Sequence, residues 1–234
     1  LYQLRNPDHC VKMIRNVKEE DYYYIYPRIN EWWGGRQLAH LLPKLFFQHF
    51  QDTSFVVEES DQVSGTNKII AFIIGFISQT DPTRGIVFFL NYLQNKKLIM
   101  WLFPYKYANH TCKFNIVNIN IFRAYIHFVG VDPDHRKKQL GRKLYELFFV
   151  TVRAKGVKTV NSITSLVNKT SIGFHKSVGF TCLGSAISDD GVAYYPNYED
   201  GKDCVVFRRI FESIFVQQKK KNQKKNKFLL LLNE

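Results

Sequence analysis

Cysteine is scarce in this chain: Cys10, Cys112, Cys182 and Cys204 are all it has, and no two form a C-x-x-C pair. That spacing encodes neither a zinc site nor a dense disulfide framework, and a reducing, cytoplasmic setting is expected. No apolar run reaches the ~20 residues needed to cross a bilayer. Leu1–Cys10 also lacks the apolar stretch of a signal peptide, so a soluble protein without a membrane partner is expected. The chain begins at Leu1 rather than Met, which leaves room for residues upstream. No G-x-G-x-x-G follows the first predicted strand, which argues against a dinucleotide-binding Rossmann domain. The 234 residues suffice for one domain of about 150 to 200 residues, with the remainder as insertion or tail.

Acidic residues are missing altogether from 85–123, which contains Lys96, Lys97, Lys106, Lys113 and Arg123. Residues 212–234 hold six lysines against Glu212 and Glu234. These two segments contribute +5 and +4 of the formal +13, leaving +4 for the body, an ordinary value for a soluble domain. The charge therefore does not argue for a nucleic-acid partner. Neither segment shows a sustained helical or strand period, and both use residues with A- and T-rich codons. A genuine insertion and translated non-coding sequence both account for 85–123. A solvated disordered run, or a contact with an anionic surface, accounts for the tail.

In the body, Val11–Arg15 predicts a strand, followed by a helix opened by Glu19, Glu20 and Asp21. Leu38, Leu41, Leu42, Leu45, Phe46 and His49 fall at helical spacing and predict a helix over Arg36–Phe50, with Pro43 inside it. Ser54–Glu58 and Lys68–Ser78 predict a hairpin around Gly65. Tyr125–Val131 predicts a strand ended by Asp132-Pro133-Asp134. An amphipathic helix follows to Ala154, with Leu140, Leu144, Leu147, Phe148 and Thr151 on one face. Strand Val157–Ile163, helix Lys169–Ser177 and strands Thr181–Ala186 and Asp203–Ile210 complete an α/β order with an antiparallel first half.

The stretch from Val129 to Leu144 runs strand, tight turn, helix start. Such a turn presents unpaired backbone N–H groups at the helix's positive end, a site for a pyrophosphate. Arg136, Lys137, Lys138, Arg142 and Lys143 surround it with positive charge. The stretch resembles motif A of the GNAT superfamily, Q/R-x-x-G-x-G/A after a strand ending in V-x-P. Arg136 and Gly141 match its ends, while Gln139 stands at the middle glycine and is expected to take ordinary helical dihedrals. Downstream, Asn168, Gly179 and Phe180 match the family's N-x-x-A-x-x-x-Y-x-x-x-G-F block. Ser171 replaces the alanine, and His175 falls on the tyrosine. The resemblance covers Val11–Phe211 with an interruption at 85–123. It implies a GNAT fold with a mixed sheet of about six to seven strands, about four helices, and strands splayed at the acetyl-coenzyme A site.

By this resemblance Val129 and Val131 pair through their backbone with the pantetheine. Arg136, Lys137, Lys138, Gln139, Leu140, Gly141 and Arg142 hold the pyrophosphate, and Asn168 and Ser171 add contacts. The implied reaction is direct acetyl transfer from acetyl-coenzyme A to the amine of a small molecule or peptide. His175 would serve as proton donor to the thiolate, and His127, four residues before Val131, as base. A strand histidine satisfied by a neighbour and a histidine packed beside Phe174 are the alternatives. Glu31, Trp32, Trp33 and Tyr194 border the implied acceptor cleft, where they bind acceptor or simply pack. A non-catalytic coenzyme A-binding module is the alternative function, and a homodimer is compatible with the sequence.

Overall fold

The computed structural model describes residues 2–4, 10–61, 67–78, 123–199 and 201–211. The expected insertion, apart from Arg123, and the tail at 212–234 lie outside them. One sheet of ten strands organises the described residues: β1 (Tyr2–Leu4), β2 (Cys10–Asn16), β3 (Phe55–Asp61), β4 (Asn67–Ser78), β5 (Arg123–Val131), β6 (Thr159–Ser165), β7 (Thr181–Leu183), β8 (Ala186–Ile187), β9 (Ala193–Glu199) and β10 (Lys202–Ile210). The spatial order is β1-β2-β3-β4-β5-β6-β10-β9-β8, with β7 beside β10. Every pairing is antiparallel except β5 with β6. The mixed sheet is thus as expected, and the count of ten exceeds it because β1 and β8 are too short to show a period and Pro196-Asn197 hides the alternation of β9.

Four helical segments flank the sheet. Asp21–Trp32 consists of α1 (Asp21–Ile25), a 3₁₀ turn at Tyr26–Arg28 containing Pro27, and α2 (Ile29–Trp32). Then come α3 (Leu45–His49), α4 (Leu140–Ala154) and α5 (Lys169–Ser177). The helix expected over Arg36–Phe50 does not form as one piece. A 3₁₀ turn at Ala39–Leu41 ends at Leu42 (φ −116°, ψ 78°), and α3 begins only after Pro43. Proline supplies no N–H and pushes the preceding residue out of the helical region, so the apolar period continues while the backbone breaks.

The sheet is covered on both faces. α4 and α5 bury Leu144, Tyr145, Phe148, Val152 and Ile172 against Ile73, Ile126, Val160, Val205 and Phe207. On the other face Ile25, Ile29, Leu42, Phe46 and Phe47 pack against Val56, Phe72, Ile74 and Phe76. Burial of each such side chain contributes roughly 1.5–3 kcal/mol. An acid expected to favour the first helix's positive end does more than that. Asp21 is buried, accepts from Lys18 N at 2.7 Å and receives both guanidinium nitrogens of Arg15 at 2.7 and 2.8 Å, fastening α1 to β2.

The strand expected over Thr181–Ala186 is also interrupted. At Gly184 a Cβ would lie 2.0 Å from the backbone N of Tyr194, so β9 crosses there and divides the segment into β7 and β8.

Candidate active site

The site begins as a fault in the sheet. β5 pairs with β6 only at Arg123, Ala124 and Tyr125, whereas its pairing with β4 continues to Val131. His127 is the extra residue of a bulge against β4, between the pairs Gly75–Ile126 and Ile74–Phe128. Bulges bend and twist a strand, and here the bend carries β5 away from β6. Ser162 Oγ donates to the Ile126 carbonyl at 3.0 Å, replacing the backbone ladder where it stops. Beyond this apex, strand alternation decides which groups face the gap. Asp132 N donates to Ile70 O at 2.9 Å, so residues 130 and 132 turn their backbone groups to β4, and Val129 and Val131 turn theirs to the gap. These are the two valines that the resemblance assigns to the pantetheine.

At the open end of the gap the chain turns through Pro133–His135 into α4. Lys137 and Gln139 both have left-handed backbone, at φ 61° and 59°. Gln139 therefore corrects the expectation of helical dihedrals: the join of β5 to α4 takes a left-handed residue here, and glutamine meets it at roughly 1–2 kcal/mol. Gln139→Gly should accordingly stabilise the protein by about 1 kcal/mol in urea unfolding. The first-turn amides of Leu140, Gly141 and Arg142 have no acceptor within the helix. Arg136, Lys137 and Lys138 are exposed around them. Arg136 donates through Nη2 to Trp32 O and through Nε to Val131 O at 3.3 Å, which ties this turn to α2.

α5 supplies the far wall. Asn168 caps it, accepting from Ser171 N at 3.2 Å, and donates through Nδ2 to Thr164 Oγ1 at 3.2 Å. Arg142 reaches the opposite end of α5, donating to Ser177 O and Oγ at 3.3 and 3.2 Å. Those ends lie about 13 Å apart at 1.5 Å per residue. The predicted cofactor contacts thus fall into two groups, one at each end of α5, not one cluster. A backbone edge exposed inside a sheet, leading to a cationic turn rich in orphan amides, fits a long ligand with an amide-bearing arm and a pyrophosphate.

His175 does not fit its expected role. It is 6% exposed and stacks on Phe207 with ring centroids 4.0 Å apart. Nδ1 lies 2.8 Å from Ser171 O, which only accepts, so Nδ1 carries the hydrogen. Nε2 must then accept from Tyr145 O–H at 2.9 Å. Burial lowers its pKa to about 4, and burial raises that of Tyr145. A neutral core histidine whose single N–H serves its own helix is not placed to protonate a thiolate. The resemblance identified the slot, but a single sequence carries no sign of the aromatic pocket that occupies it.

His127 is half-buried, and its Nε2 lies 2.7 Å from Leu41 O, so that nitrogen is the donor and the ring's lone pair resides on Nδ1. It stacks on Phe46 at 4.4 Å, and burial lowers its pKa to about 4. Of the acceptor-side residues, Trp32 is 3% exposed and packs on Phe72, which makes it core rather than a contact surface. Trp33 stands over β5, where a Cβ on Gly130 would meet its ring at 2.6 Å, and Glu31 is exposed beside it. Tyr194 belongs to β9 and is partly buried against the main core. Tyr195 and Tyr198 lie on the same strand, with their rings 5.5 Å apart.

Among curated proteins none matches the chain significantly. Solved structures share its fold. It is similar to a chain of the NatC complex bound to Gag peptide and CoA (13% identity, TM-score 0.55, covering 86% of this chain and 99% of that one). It is also similar to Naa20 of Chaetomium thermophilum in complex with a bisubstrate analogue (18%, 0.51, 85% and 86%). A third is an agmatine N-acetyltransferase mutant, S171A, in its apo form (15%, 0.52, 86% and 99%). The profile of the acetyltransferase (GNAT) family matches residues 12–180, most of the described structure, and the chain belongs to that family of acyltransferases, whose acyl donor is acetyl-coenzyme A.

Proposed function

We propose that this protein is an N-acetyltransferase that moves the acetyl group of acetyl-coenzyme A to the primary amine of a small molecule or peptide by direct attack. The observation carrying this reading is the gap opened by the His127 bulge, which leads straight to the cationic turn before α4. Acetyl-coenzyme A supplies a thioester whose carbonyl carbon accepts the amine, the C–S bond breaking as the C–N bond forms. The chain's own groups bind and orient. Val129 and Val131 offer backbone pairing, and the amides of Leu140, Gly141 and Arg142, with Arg136, Lys137 and Lys138, hold the phosphates. Asn168 and Ser171 shape the other end. His127 is the candidate base at the bulge, its ring held by Leu41 O and stacked on Phe46, and the amine's proton passes on to solvent. The leaving sulfur takes its proton from water, because His175 is committed to the core. Trp33 and Glu31 form the acceptor side, where Glu31 attracts an ammonium group.

Thiol release with a panel of peptide N-termini, polyamines and lysine tests this. Turnover should rise with pH through the amine's own titration. It should show no inflection from either histidine above pH 5.5, since both lie near 4. Coenzyme A binding without turnover on any amine would instead assign the chain to the non-catalytic alternative, which the engaged nitrogens of His175 favour.

A further inference from the structure

His135 ends the turn just before Arg136, and its ring points back into the sheet. Nε2 lies 2.9 Å from Glu59 Oε2 on β3, two strands away from β5. The carboxylate's other oxygen receives Lys12 Nζ of β2 at 3.2 Å. On the other side, Asp132 is gripped by Lys68 of β4 at 2.7 Å and accepts from Asp134 N at 3.1 Å, while His135 N donates to Asp132 O at 2.8 Å. The ring's Nδ1 is buried without a hydrogen-bond partner among the described residues, with the nearest Asp132 oxygen at 3.5 Å. Lys12 is 8% exposed and Asp132 5%, so this is an interior arrangement and not a surface pair. Burial alone would raise Glu59 and Asp132. His135 with Lys12, and Lys68, hold them below their ordinary values.

Two left-handed residues follow immediately, at 137 and 139, and a turn of that kind keeps its shape only when its flanks are fixed. α4 fixes one flank. We propose that His135 is the positioning residue for the other: by bridging to Glu59 and through it to Lys12, it anchors the phosphate-binding turn to β2 and β3 and so sets affinity for acetyl-coenzyme A without touching it. This rests on the assignment of the cofactor's phosphates to residues 136–142.

The test is calorimetry with coenzyme A and steady-state kinetics on the full chain. His135→Ala should weaken coenzyme A binding about tenfold and raise KM for acetyl-coenzyme A alike, with kcat at saturation unchanged. His135→Gln, whose amide can still donate to Glu59, should recover most of the loss. Glu59→Gln combined with His135→Ala should be no worse than His135→Ala alone. A fall in kcat, a lack of rescue by glutamine, or unchanged affinity in His135→Ala would overturn the clasp. Gly141→Glu keeps the two readings apart. If it too binds coenzyme A normally, the phosphate site itself is misplaced; if it alone loses binding, only the role of His135 fails.

Discussion

His175→Ala should destabilise the protein by about 3–5 kcal/mol. The substitution removes a ring stacked on Phe207, empties the space beside Phe180, and strands the Tyr145 hydroxyl in the core. His175→Phe should keep the packing yet still lose roughly 1–3 kcal/mol, because Tyr145 O–H is left without its acceptor. Both numbers come from denaturant unfolding at neutral pH. The same histidine makes stability depend on acid. Unfolded, it takes up a proton near 6.5; folded, only near 4. Its contribution is therefore complete above pH 6.5 and is lost as pH falls towards 4, amounting to about 3 kcal/mol at most. His127 acts with the same sign. In His175→Phe the acid slope should flatten, while kcat in a folded, cofactor-saturated sample stays near the parent value. A large loss of kcat with stability intact would restore His175 to the chemistry.

Gly141→Glu should weaken coenzyme A binding by one to two orders of magnitude, about 1.4–2.8 kcal/mol, and leave the fold at least as stable. The two effects separate because the position has room. A Cβ at Gly141 would meet nothing closer than Phe174 at 3.5 Å, an ordinary contact, and the residue's backbone is not left-handed. A carboxylate in the first turn of α4 suits the helix's positive end, which favours folding. That same charge sits among the amides that a pyrophosphate needs, and repels it. Gly141→Ala, which adds bulk without charge, should bind almost normally. Loss of binding in the alanine variant would mean that space, not charge, governs the site.

Much of this arrangement was legible in the residues. α5 was read at its observed limits and α4 at its C-terminal end, because apolar spacing and the Asn168 cap are local signals. Val129 and Val131 were assigned by motif position alone; the register with β4 turns their backbone groups to the gap. What escaped depended on contacts far apart in sequence. The left-handed backbone at Gln139 follows from joining β5 to α4, not from glutamine itself. The fate of His175 was decided by Phe207 and Tyr145, 32 residues after it and 30 before it. Trp32 and Trp33 are adjacent and chemically alike, yet one is core and the other covers Gly130, a division that only the rotation of α2 determines.

The gap beside β5 also has a mechanical consequence. A continuous sheet resists shear because each strand is stitched to its neighbours along its length. Here β1 to β5 form one slab and β6 with β10, β9 and β8 another, sewn together by three residue pairs at Arg123, Ala124 and Tyr125. The seam lies at one end, so the slabs are arranged like the covers of a book, with the Ser162 hydroxyl as the last stitch at the spine. Between the two slabs, opening the gap further therefore breaks no strand-to-strand backbone ladder beyond these three pairs, and what resists it is the core that both slabs share under α4 and α5.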